Sequence, residues 1–152
     1  MIIENSYRDC LVTNITGGLG NQLFCYYSSL SFAISKNLDL YIDDYDYNFY
    51  RKDRLFALDK FKINFKRVEK NILKKFKYLP FSIYDNYLIK YLNINSYYKN
   101  ANIVKENEND NFDDILKKIK KNTYIQGYWQ NVNFLKDVKN IMREEIVLLN
   151  PS

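Results

Sequence analysis

Apolar residues in this chain fall into short runs and helical stripes separated by gaps rich in lysine and asparagine. The first run, Leu11-Val12-Thr13-Asn14-Ile15, is partly β-branched and is followed at once by glycines, which is how a buried strand reads; it should end at Thr16. Leu23, Phe24, Tyr27, Leu30, Ala33 and Ile34 then recur at intervals of three and four, so a helix from about Asn21 to Lys36 is expected to lay one apolar face on a sheet. Asp39-Leu40-Tyr41-Ile42-Asp43-Asp44 reads as a second strand ending in acids. Tyr45 to Arg54 reads as an irregular, aromatic-rich loop, and Leu55 to Phe65 as a short mixed element. Lys66 to Lys77 and Tyr84 to Leu92 have helical spacing, with Pro80 between them. Lys105 to Asn111 is polar and acidic and predicts an exposed loop. A helix over Phe112 to Lys121, a strand over Thr123 to Gln126 and a last apolar stripe within Asn133 to Leu149 (Phe134, Leu135, Val138, Ile141, Met142, Val147) complete an α/β order.

Three of the four glycines, Gly17, Gly18 and Gly20, sit where the first strand meets the first helix. Glycine admits positive φ and lets a ligand approach main-chain N–H groups, and a helix start adds partial positive charge that favours anions. A phosphate or a sugar suits that geometry, and so does a tight turn with no ligand. The dinucleotide fingerprint fails, because a pattern starting at Gly18 needs glycine where Leu23 stands. A P-loop fails too, since Gln22 and Leu23 stand where Lys and Ser or Thr are required.

Gly17-Gly18-Leu19-Gly20-Asn21-Gln22-Leu23-Phe24, with Tyr26 after it, resembles the N-terminal signature of the α-1,2-fucosyltransferases (glycosyltransferase family 11), in which Gln stands at the place of Cys25. Downstream, Gly127-Tyr128-Trp129-Gln130, followed by Phe134, is similar to a second segment of that family. Leu40 to Asp44 and Leu58-Asp59-Lys60-Phe61 carry a looser likeness. The family's other signature, His-x-Arg-Arg-x-Asp, supplies an arginine facing the donor diphosphate. This chain has no histidine, so it lacks that run. The resemblance implies one Rossmann-like domain over residues 1–152, the acceptor-side N-terminal half of a two-domain, GT-B-type glycosyltransferase without its C-terminal donor-binding domain. A gene fragment, one piece of a split enzyme and a decayed copy all fit that expectation.

Composition limits other classes. At 152 residues the chain is one domain's worth, able to bury roughly 70% of its extended surface. The net charge of +5 comes mostly from lysine runs such as Lys117 to Lys121, whose helical spacing reads as solvated faces, so nucleic acid is not the expected partner. A basic surface can draw the chain toward anionic lipid. Asp, Lys or Asn interrupts every apolar run before the length of about 20 residues that a bilayer span needs, so any membrane contact is expected to be peripheral. With Cys10 and Cys25 as the only cysteines and a polar N-terminus, a reducing cytoplasm is the simplest compartment. Two cysteines and no histidine argue against a metal site.

The candidate site residues follow. Gly17, Gly18, Gly20, Asn21 and Gln22 are expected to meet the fucosyl unit or the incoming hydroxyl through main-chain N–H groups and side-chain amides. Tyr128, Trp129 and Gln130 offer a hydroxyl, a stacking ring and an amide to a sugar, with core packing the other reading of Trp129. Asp43 lies on the ligand edge of an open α/β sheet; it is the candidate general base, with a solvated strand end or a helix cap as the other readings. The implied reaction is inverting, metal-independent transfer of fucose from GDP-fucose to a galactoside hydroxyl, with no cofactor and with a glycan acceptor. A separate C-terminal half is the implied protein partner. A non-catalytic carbohydrate-binding or assembly subunit, an unrelated Rossmann-like nucleotide-binding domain and a basic nucleic-acid module are the competing classes.

Overall fold

The computed structural model describes residues 9–49, 54–77, 79 and 102–149. Four strands form one parallel sheet, β1 (Cys10–Asn14), β2 (Asp39–Asp43), β3 (Asn102–Lys105) and β4 (Thr123–Gln126), in the order β2-β1-β4-β3. β1 pairs on both edges and every residue of it is buried, which explains its unbroken apolar and β-branched run. One face of the sheet, carrying Leu11, Val104 and Ile125, is covered by α1 (Leu19–Lys36), α3 (Phe112–Lys118) and a 3-10 turn over Val132–Val138. The opposite face, carrying Cys10, Val12 and Tyr124, packs on Ile72, Leu73 and Phe76 of α2 (Lys70–Phe76). This Rossmann-like α/β arrangement is the fold class that the sequence predicts. No helix among the described residues is long and apolar enough to cross a membrane.

Several elements differ from expectation. The buried side of α1 carries Tyr27 and Ala33 as expected, together with Gln22, Cys25, Tyr26, Ser28, Ser29, Ser31 and Phe32, while Ile34 is exposed. The contact stripe is therefore more polar than the spacing suggested, and Ser29 bonds Thr13 of β1 across it. The short strand β3 was not anticipated; it ends where the acidic loop begins. The expected last helix divides into the 3-10 turn and α4 (Lys139–Glu145). The helix expected over Lys66 to Lys77 is confined to α2, because backbone at Lys66 and Val68 bonds Ile42 of β2 instead. α3 stops at Lys118, where Ile119 turns extended to enter β4. The helix expected over Tyr84 to Leu92 lies outside the described residues.

Beneath the C-terminal ends of β1, β2 and β4 lies a buried charge. The Lys77 ammonium, fully buried, stands 2.6 Å from Asp43 Oδ2 and 3.2 Å from Asp46 Oδ1, and the Tyr124 hydroxyl donates to Asp43 Oδ2 at 2.6 Å. Removing one member of such a pair strands an uncompensated charge out of water. Lys77→Met is therefore expected to lower the unfolding free energy by about 3–5 kcal/mol, read from urea denaturation, and adding Asp43→Asn should recover part of the loss. A single variant within about 0.5 kcal/mol of wild type would contradict this assignment.

Candidate functional site

Parallel pairing puts every strand end on the same edge, so the turns after β1 and β4 emerge side by side. After β1 the chain takes a left-handed step at Gly17 (φ +78°), and α1 starts from Gly18 without a side-chain cap. An added Cβ at Gly17 would come 2.6 Å from Asn21 Nδ2, so that glycine is required by the turn itself. Gly18 and Gly20 are different. Gly18 has φ −77°, and a Cβ at either residue meets nothing within 4 Å. Both are exposed, so internal packing does not account for glycine at these places. Amides in the first turn of a helix have no intrahelical acceptor, and here two of the residues that carry them, Gly18 and Gly20, are exposed and have no side chain.

After β4 the turn closes tightly. A Cβ at Gly127 would sit 2.4 Å from Glu106 Cβ and 3.1 Å from Trp129 Cε2, and the Glu106 carboxylate accepts the Tyr128 N–H at 2.7 Å. Trp129 adopts φ +55°, an uncommon state for a bulky residue that costs on the order of 1–3 kcal/mol. That kink lets its carbonyl accept from Ser28 of α1 at 3.0 Å and turns Gln130 outward. The Gln130 amide then donates to Asn21 Oδ1 at 2.6 Å. Cys25 Sγ also donates to the Gly127 carbonyl at 3.2 Å. Two segments about a hundred residues apart thus form one continuous surface, with Gly18, Gly20, Tyr128 and Gln130 exposed and Asn21 between them.

Not every candidate faces that surface. Trp129 is 0% exposed and packs edge-on against Phe32, at 5.5 Å between centroids, in the core that also holds Phe134; the structure therefore gives it the packing role, with no ring face for a sugar. Gln22 is buried as well. Its amide donates to the Gly17 and Leu55 carbonyls and accepts from the Ala57 N–H, so it turns inward rather than toward a ligand. Asp43 is 1% exposed, and besides Lys77 and Tyr124 it accepts the Tyr45 N–H at 3.0 Å. A carboxylate enclosed in this way has no face left for a substrate proton; of the two other readings, the bond to the Tyr45 N–H at the start of the 3-10 turn matches the cap, and a buried ion pair stands in place of the solvated strand end. Burial pushes the Cys25 thiol up to about 12 and the Cys10 thiol up to about 11, so neither is a thiolate nucleophile at neutral pH.

Other contributors were hidden in the sequence. Tyr47, from the 3-10 turn Tyr45–Phe49, donates its hydroxyl to the Gly17 carbonyl at 2.7 Å. Glu106 lies in a loop that looked merely solvated. Beside it a cavity of about 330 Å³ is bounded by Glu106, Glu108, Asp110, Gln130 and Asn131 among others. The Asn14 side-chain nitrogen, buried at the end of β1, has no hydrogen-bond partner among the described residues.

The two kinds of glycine predict opposite responses. Gly127→Ala is expected to destabilise by about 1–3 kcal/mol, because the opposing Glu106 Cβ is fixed to the backbone. Gly20→Ala should leave stability unchanged or raise it by about 0.5–1 kcal/mol, since it removes helix-weakening glycine from open space. Chemical denaturation of both variants checks the pair, and equal losses would contradict it.

The chain is 27% identical over 141 residues to an alpha-1,2-colitosyltransferase of Escherichia coli, an alignment covering 92% of this chain and 46% of that protein. It therefore spans less than half the length of the curated relative it matches. No family model and no solved structure matches. At the coarse level, then, the likeness is to a glycosyltransferase.

Proposed function

We propose that this chain is the acceptor-side half of an α-1,2-fucosyltransferase-like glycosyltransferase, transferring a 6-deoxysugar from a nucleotide donor such as GDP-fucose to a galactoside hydroxyl. The observation that carries the reading is the Asn21–Gln130 hydrogen bond: it joins the glycine turn to the Tyr128-Trp129-Gln130 turn on the ligand edge of the sheet. The absence of any packing reason for Gly18 and Gly20 supports it, because a bare backbone is what close approach of a ligand requires.

In this mechanism the acceptor hydroxyl attacks the anomeric carbon of the donor, the bond to the diphosphate breaks with inversion, and GDP leaves. Main-chain N–H groups of Gly18 to Asn21 hold oxygen atoms of the sugar, while the Asn21 and Gln130 amides and the Tyr128 hydroxyl orient its hydroxyls. The proton lost by the acceptor passes to a carboxylate other than Asp43, which is enclosed. Charge on the departing diphosphate is neutralised by an arginine in the part of such an enzyme that the alignment leaves uncovered. The mechanism requires no metal ion.

The test has two readouts. Lactose is titrated calorimetrically into the wild-type chain and Gly20→Val, and GDP release is followed with GDP-fucose, or nucleotide-linked colitose, plus lactose. Lactose should bind the wild type, and Gly20→Val should bind at least roughly tenfold more weakly while remaining folded, as a side chain there occupies the ligand's space. No turnover is expected from the chain alone. Turnover by this chain would overturn its assignment as a half, and unchanged binding by Gly20→Val would overturn the site.

A further inference from the structure

The Gly17 carbonyl is gripped from inside. It accepts the Gln22 Nε2 amide at 3.1 Å and the Tyr47 hydroxyl at 2.7 Å, which occupy both of its lone-pair directions. Gln22 cannot be reversed in this position. Its second amide hydrogen goes to the Leu55 carbonyl at 2.9 Å and its oxygen takes the Ala57 N–H at 2.9 Å, so a flipped amide would set oxygen against two carbonyls and nitrogen against a donor. Tyr47 is held in turn by the edge-on ring of Phe56, 5.8 Å away, which packs on Phe65 at 5.5 Å.

The peptide linking Gly17 to Gly18 is trans and planar, so its C=O and N–H point in opposite directions. With the oxygen drawn into the protein by two donors, the Gly18 N–H has to point outward. Gly18 is itself exposed. We propose that Gln22 and Tyr47 are positioning residues whose function is to aim the Gly18 N–H at an oxygen atom of the bound sugar or sugar nucleotide. The inference rests on the functional reading above for the identity of the ligand and on the hydrogen bonds alone for the direction of the amide. It also assigns Gln22 a different part from the direct contact expected of it: the side chain reaches the ligand only through the peptide it orients.

The experiment is amide NMR on the wild type, Tyr47→Phe and Gln22→Met, with Ile119→Ala as a control that weakens a core cluster holding neither Tyr47 nor Gln22. In the wild type the Gly18 N–H should be rigid, with an order parameter near roughly 0.85, yet exchange rapidly with solvent because it points outward. Tyr47→Phe should stay folded while the Gly18 order parameter falls below about 0.6 and affinity for lactose, the probe, drops roughly tenfold. Ile119→Ala should lower the melting temperature and leave Gly18 as it is in the wild type, which separates aiming from general stability. A Gly18 amide protected from exchange in the wild type, or one that keeps its order parameter in both Tyr47→Phe and Gln22→Met, overturns the inference. If Gly18 behaves as expected while lactose shifts no amide in the wild type, the aiming stands and the sugar-binding reading falls.

Discussion

Everything in this domain is arranged around one strand that has no exposed side. β1 is paired on both edges and covered on both faces, so its backbone polar groups are satisfied only by its neighbours and its chain leaves at one edge. Because β4 runs parallel beside it, the turn that follows β4 must emerge next to the turn that follows β1. Sequence distance is thereby removed: Gly17 to Asn21 and Gly127 to Gln130 become neighbours without either being long or flexible. The helix that covers β1 comes close because its contact face is small, with Ser28 and Ser29 where bulkier apolar residues would hold it away.

The buried ion pair on the other face acts on the same edge from below. Asp43 takes the Tyr45 N–H and so starts the 3-10 turn Tyr45–Phe49; Asp46 of that turn pairs with Lys77, and Tyr47 of that turn holds the Gly17 carbonyl. Charge sequestered under the sheet is thus connected, through one short turn, to the direction of a backbone amide above it. Asp43 matters to the site by shaping this turn, although its carboxylate never reaches the surface. This is a costly way to fix a loop, and the desolvation is offset only because the carboxylate has three partners, Lys77, Tyr124 and the Tyr45 N–H.

Much of the fold was legible because hydrophobic spacing reports burial. β1, β2, β4 and α1 are found within a residue or two of where the spacing puts them, and the glycine cluster falls at the strand-to-helix turn. What spacing cannot report is which polar residues are enclosed. Gln22, Asp43 and Lys77 are ordinary surface residues by type, and only their partners, 33 and 35 positions away for Gln22 and 31 and 34 for Lys77, make them interior. Tyr47 was masked by the abundance of tyrosine, 15 in this chain, which lowers the information in any one of them. Trp129 shows the opposite failing: the residue type suits sugar stacking and core packing alike, and the left-handed kink that decides for the core has no signature in composition. β3 is four residues long and ends against acidic loop, too short for alternation to register.

The central claim is that the two turns make one ligand surface at the C-terminal edge of the sheet. A crystal structure of the chain grown with GDP-fucose and lactose tests it most directly. The account predicts sugar density within hydrogen-bonding distance of the Gly18 to Gly20 amides and of Gln130 or Tyr128. Density at the opposite edge of the sheet, beside Lys36 and Lys121, with the glycine turn empty, would contradict it.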